Sequence, residues 1–228
     1  MTPTDRATVA ECFMVEETGY VNRYLRRFTY GQEAACSGQE EDDMGHDAWE
    51  LLDRVEDPFH GLDPEEKRER AEEAAENENR DLLRKGVRGD LWPHDDERWP
   101  EECELCGTPF GPDDEWMLYQ RDLWTPVDPE LRELMGEFEL ADAPVGAMWD
   151  AYWLPHENEE DGRCLVVKTP DGWEWVIDGP ATNTEGAGWE RKGKPPNVTV
   201  SPSIGTPGYH GFLIDGEFTT DMEGRTYD

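Results

Sequence analysis

The chain has 228 residues, enough to bury a sizeable core as one domain or two small ones, and its 36% hydrophobic content includes ten Trp, seven Tyr and seven Phe, which excludes wholesale disorder. Its 55 acidic against 21 basic residues give a formal net charge of −34, a field that repels nucleic-acid phosphates and anionic membranes and argues against direct binding to either. The same field favours a protein partner with a basic surface, or simply high solubility.

The charge is uneven. Glu40 to Asp81 holds 18 acidic and five basic residues, whereas Asp161 to Asp228 holds 11 and six, so the acidic display belongs mainly to the upstream part. No apolar run approaches the roughly 18 residues that a membrane-spanning helix needs. Five cysteines, an odd number, follow a start interrupted by Asp5, Arg6, Glu11, Glu16 and Glu17, so an intracellular, reduced compartment is expected rather than secretion by a signal peptide.

In chain order, residues 8–30 carry two apolar, β-branched and aromatic runs separated by Glu16, Glu17, Thr18 and Gly19, which predicts two strands and a turn. Tyr24, Leu25 and Phe28 also suit one side of a short helix. His46 to Glu56 places Trp49, Leu52 and Val55 at spacing three, which predicts a short amphipathic helix. Asp63 as N-cap, Pro64 at the first helical position, Glu66 three residues after the cap and Gly86 as a stop predict a second helix, mostly solvated. Residues 87–114 are broken by Gly and Pro and predict a knuckle-rich loop region.

Glu115 to Leu123 reads as a strand, Asp128 to Gly136 as a short helix whose Leu131, Leu134 and Met135 share a face, and Ala143 to Trp153 as a buried aromatic stretch. Farther on, Cys164 to Thr169 and Trp173 to Asp178 flank Pro170-Asp171-Gly172, a strong hairpin sequence. Asn197 to Val200 is another strand. Tyr209 to Ile214 and Glu217 to Thr220 flank Asp215-Gly216, a type I′ turn candidate. The expected fold class is therefore α+β: a polar helical N-terminal region with a small antiparallel β-rich C-terminal module. The expected organisation is an acidic region over 1–90 with strands and solvated helices, a Cys/Pro/Trp-rich connecting region over 91–160, and the β module over 161–228.

Among chemical motifs, Cys103-Glu104-Leu105-Cys106-Gly107 stands out, because two thiolates two residues apart followed by Gly form the turn that wraps one side of a tetrahedral zinc ion. Two further ligands are needed. His94, nine residues upstream, is the nearest candidate, with His156 and Cys164 downstream and His210 as a weaker one. No second CxxC or CxxH is present, so structural zinc, free buried thiols and a redox dithiol all remain open, although Pro109 and Pro112 argue against the helix that a thioredoxin-like dithiol needs. His210 suits a metal or general-base role, or a hydrogen-bonded structural one. Asp171, Asp178 and Asp215 sit in turns or at strand ends, where Asp serves the backbone. There is no GxSxG, HExxH, phosphate loop or dinucleotide Gly pattern, and Trp173, Trp175 and Trp189 lack neighbouring basic residues, which favours packing over base stacking. No catalytic residue is assigned.

The segments CELCG at 103–107, APVGAMWDAYW at 143–153, DGRCLVVKTPDGWEWVIDGPATN at 161–183, PPNVTV at 195–200 and GYHGFLIDGEFT at 208–219 together resemble an uncharacterised family encoded by tailed bacteriophages and prophages. Similar proteins carry Cys where Thr184 stands, Cys where Gly188 stands, His where Lys192 stands and a further Cys before Ser203-Ile204. Joint loss of these ligands is what loss of one shared C-terminal metal site produces, while Cys103 and Cys106 are retained. The resemblance implies a phage protein in the host cytoplasm or the virion. The expected function is non-enzymatic binding or assembly, as a head-associated or accessory component with a structural zinc and a phage or host protein partner. An acidic DNA mimic that inhibits a host defence enzyme and a metal-assisted hydrolase using Cys103, Cys106 and His210 are the alternatives.

Overall fold

A computed structural model describes residues 7–30, 36, 44–57, 60–63, 65–66, 97–111, 114–154, 158, 160–179 and 189–220. In chain order the strands are β1 (Thr8–Glu11), β2 (Phe13–Tyr30), β3 (Met44–Glu56), β4 (Glu115–Pro126), β5 (Phe138–Glu139), β6 (Ala147–Asp150), β7 (Leu165–Lys168), β8 (Glu174–Val176), β9 (Glu190–Lys194), β10 (Asn197–Ser201), β11 (Ile204–Gly205), β12 (His210–Ile214) and β13 (Glu217–Thr220). Among the described residues, an α-helix, α1 (Pro129–Met135), and a 3-10 turn at Leu140–Asp142 complete the elements that are described in full. No described helix is long and apolar enough to cross a membrane.

The expectation of a helical N-terminal region is overturned: the described residues of that region are overwhelmingly strand. β2 runs for 18 residues straight through the Glu16–Gly19 stretch where a turn was expected, and no helix forms at Tyr24, Leu25 and Phe28. Gly19 lies within the strand without ending it. Its φ is 81°, its carbonyl accepts the Asp57 N–H at 2.9 Å, and a Cβ there would lie 2.7 Å from the His60 ring, so the glycine serves a close approach.

The expected helix at His46 to Glu56 is β3 instead, antiparallel to β2 with Arg26 opposite Trp49 and Phe28 opposite Asp47. The register shifts at Arg23/Tyr24, where β3 carries Leu52 as an extra residue. That bulge breaks strict alternation and leaves apolar residues at mixed spacings that mimic a helical period. The second expected helix lies almost wholly outside the described residues, but its start is visible: Asp63 Oδ1 accepts the Glu65 and Glu66 N–H groups at 3.0 Å each.

The chain divides into two compact units, one formed by Met1–Thr18, Asp63–Arg68 and Leu123–Asp228, the other by Gly19–Leu62 and Glu69–Asp122. In the first unit β6, β7 and β8 form an antiparallel run, and the start of β2 joins it in parallel through Phe13 and Met14 opposite Ala147 and Met148. β7 is buried along its whole length. Because successive side chains point to opposite faces, Met148, Leu165 and Val167 enter one apolar cluster with Ile177, Leu213 and Phe218, while Ala147, Trp149 and Val166 enter another with Val15 and Trp124. The order β1-β13-β12-β11 forms a four-stranded sheet, so β1 completes the C-terminal strands from the other end of the sequence. β9 and β10 form a separate hairpin.

Local turn and cap chemistry is realised. Asp215 and Gly216 both have positive φ, 50° and 81°, as a type I′ turn requires. Asp128 caps α1 by accepting from the N–H groups of Glu130 and Leu131, but the helix buries no residue and Leu134 is 78% exposed. In the second unit, the part of β2 from Gly19 onward pairs with β3; β2 buries Val21, Leu25 and Phe28 together with two arginines, Arg23 and Arg27, and β3 buries Ala48 and Leu52.

Candidate metal centre

Residues 101–110 of the second unit fold back on themselves. Phe110 N–H donates to the Glu101 carbonyl at 2.9 Å, Cys103 N–H to Thr108 O at 2.9 Å, and Gly107 N–H to Cys103 O at 2.8 Å. Gly107 has φ 70°, a conformation other residues rarely adopt, which explains the Gly after the second cysteine. The result is a tight knuckle that turns the Cys103 and Cys106 sulfurs to one side.

Arg27 closes the base of this loop. Its guanidinium donates to the Pro100 carbonyl at 2.9 Å and to the Gly111 carbonyl, and stacks 5.0 Å from the centroids of both Trp99 and Phe110. The tip of the knuckle meets β3. Glu104 N–H donates to Asp47 O at 3.2 Å, and Glu104 Oε1 accepts the Trp49 N–H at 2.6 Å. β3 itself carries His46, whose backbone N–H donates to Thr29 Oγ1 at 2.8 Å.

These elements bring together Cys36, His46, Cys103 and Cys106, with one donor atom of each lying within 4.8 Å of all the others. Cys36 Sγ is 3.8 Å from Cys103 Sγ, and Cys106 Sγ is 3.2 Å from His46 Nδ1. Metal–sulfur bonds of about 2.3 Å in a tetrahedron place two sulfurs about 3.8 Å apart, so the Cys36–Cys103 separation matches a shared metal. It is far from the roughly 2.05 Å of a disulfide, and all five described cysteines are free. The cluster could therefore hold a metal ion. Cys36 and Cys103 are buried, while His46 and Cys106 are half-buried.

Two of the three thiols, Cys103 and Cys106, are shifted toward the thiolate, the form that binds metals. Burial pushes the Cys103 thiol up, but N–H groups of Asp47, Cys106 and Leu105, with His46, outweigh it and hold the group below its ordinary value. The Thr108 hydroxyl, 3.2 Å away, and the Thr108 N–H lower Cys106 to about 7. Cys12, by contrast, is pushed up to about 12 by burial, which keeps it an inert thiol.

Of the residues singled out from sequence, Cys103 and Cys106 are in the cluster. His94 and His156 lie outside the described residues. His210 is on β12 in the first unit, with Nε2 3.3 Å from Ser203 Oγ, and is not part of the cluster; nor is Cys164, which is buried beside β6 and bonded through its N–H to Asp150. The turn carboxylates are engaged structurally: Asp171 accepts the hydroxyls of Thr169 and Thr206 and the Gly208 N–H. Asp178 accepts from Asn158, the Leu165 N–H and Arg191.

Sequence reasoning missed Cys36 and His46. A search for a second pair close in sequence could not find them, because each enters singly from a different stretch. The Cys36 to His46 spacing was the one available signal, and it was obscured by reading His46 as the start of a helix. No protein-family model matches the chain, and no curated protein and no solved structure matches it either.

Proposed function

We propose that this chain is a non-enzymatic binding or assembly protein whose second unit is held by a structural zinc ion on Cys36, His46, Cys103 and Cys106. The observation that carries the reading is the convergence of four donor atoms within 4.8 Å. Three thiolates and an imidazole form a soft donor set suited to zinc, and four side chains fill a tetrahedral shell, which leaves no open position for a hydrolytic water. That closed set favours a structural ion over metal-assisted hydrolysis.

The net charge of −34 supports a partner with a basic surface, and the resemblance of the sequence blocks to a phage family supports a virion or accessory role in that setting. The DNA-mimic reading is weaker. Within the acidic stretch, Asp47 is bound by Arg26 at 2.6 Å and Asp53 by Arg23, so these carboxylates are neutralised instead of standing in for phosphates.

Elemental analysis with native mass spectrometry on full-length protein purified without chelator tests the metal. One zinc per chain is expected; a folded chain that carries no metal and takes up none overturns the proposal. Detection of the chain in purified particles would separate a virion component from an accessory factor.

A further inference from the structure

The four donors come from three separated stretches of chain, so the metal alone would have to close long loops unless the protein brings β3 to the knuckle first. Among the described residues, two of the hydrogen bonds that join β3 to the knuckle are made by one residue, Glu104. Its N–H donates to Asp47 O at 3.2 Å and its Oε1 accepts the Trp49 N–H at 2.6 Å.

The register of these bonds is specific. Asp47 follows the ligand His46, and Glu104 follows the ligand Cys103. Alternate residues of a strand point their N–H and C=O groups to the same side, so Asp47 and Trp49 offer theirs along one edge of β3. Glu104 fills that edge as a partner strand would, with its own N–H and a side-chain oxygen in place of a second carbonyl. A one-residue slip would displace the knuckle by about 3.3 Å along β3, enough to take His46 Nδ1 out of coordinating range of the sulfurs.

We propose that Glu104 is a positioning residue for the metal centre: through its paired bonds to Asp47 and Trp49 it sets the register of the knuckle on β3, so that His46 meets Cys103 and Cys106 before the ion arrives. This rests on the metal reading given above. Glu104 is not itself a ligand, because the shell is complete without it and its Oε1 is taken by Trp49. Leu105, its neighbour in the same turn, is 58% exposed and lies in no apolar cluster, which makes it the natural control.

The test compares full-length wild type with Glu104→Ala, Glu104→Gln and Leu105→Ala. Zinc affinity is read by competition with a chromophoric chelator, cobalt(II) substitution reports the coordination geometry, and far-UV circular dichroism confirms that each chain folds. Glu104→Ala is expected to weaken zinc binding about 10–100-fold and to change the cobalt spectrum, as loss of an outer-shell partner does. Glu104→Gln restores most of the affinity, since its amide oxygen accepts the same bond, and Leu105→Ala binds like wild type. Wild-type affinity in Glu104→Ala overturns the positioning role while leaving the metal standing, as does a Gln variant no better than Ala. A wild-type chain that takes up no zinc removes both readings at once.

Discussion

The two units are built from similar material, mostly strand, yet fill their interiors differently. The first unit buries alternate residues of β6 and β7 in two apolar clusters, so its sheet is apolar on both faces. The second buries a shorter apolar set with Arg23, Arg27, Cys36 and Cys103 among it. Apolar burial stabilises a fold without further conditions, whereas buried guanidinium and thiolate groups stabilise it only when their partners are in place. The difference teaches that dependence on a metal should be a property of one unit, not of the chain as a whole.

The largest effect that tests this comparison is removal of a ligand. Cys103→Ser is expected to abolish zinc binding and to destabilise the second unit by several kcal/mol, given the roughly 10–16 kcal/mol that structural zinc sites contribute. Hydrogen exchange resolves the outcome by region. Amides of β3 and of β2 beyond Gly19 should lose protection, while those of β7, β12 and β13 keep theirs. Loss of protection throughout would mean that the contrast between the two interiors has no energetic consequence.

Next in size is Arg27→Ala. The substitution leaves the Pro100 and Gly111 carbonyls without their charged donor and removes the cation held between Trp99 and Phe110. Hydrogen bonds to charged groups contribute about 1.5–3 kcal/mol each, so a loss of about 3 kcal/mol is expected, accompanied by weaker zinc retention. Urea unfolding in the presence and absence of zinc measures both. If the variant matched wild type in stability and zinc release, the knuckle would not depend on its base, and the polar interior would be incidental.

What was legible in the sequence follows the range of the interactions. The hairpin at Pro170-Asp171-Gly172, the turn at Asp215-Gly216 and the short helix after Asp128 rest on interactions within a few residues, and each forms where expected. Cys103 and Cys106 were legible for the same reason, being two candidate ligands on one turn. The pairing of Thr8 with Thr219, by contrast, is set by tertiary fit between the two ends of the chain and has no local signal. β2 was misread because Gly19 punctuates like a turn but serves contact with His60, and β3 because extra residues at two register shifts disguise its alternation. Cys36 and His46 combine both difficulties. Each is a lone residue whose partners are supplied by strand pairing and by the knuckle, and neither could be assigned until β3 was known to be a strand.

The smallest effect probes a buried ion-pair network of the first unit, which also buries Lys168 and Glu139. Arg191, buried on β9, donates through Nε to Asp178 at 2.9 Å and through its two terminal nitrogens to Asp161 at 3.0 and 2.7 Å. The hydrogen bonds from Arg191 outweigh burial and hold the Asp161 carboxyl below the usual carboxylate range. A carboxylate depressed in the folded state adds stability that is fully present above its unfolded value, near 4, and disappears as pH falls through the lower folded value. Asp161→Asn should therefore cost about 1 kcal/mol or less at pH 7, because the Asp161 side chain is partly solvated. The gap between wild type and variant should close as pH drops below about 4. Urea midpoints reported by exchange at β9 and β10 across that range provide the test. A gap that stays constant with pH would show that the asparagine disturbs packing and not charge, and the Asp161–Arg191 pair would then carry no electrostatic share of the first unit's stability.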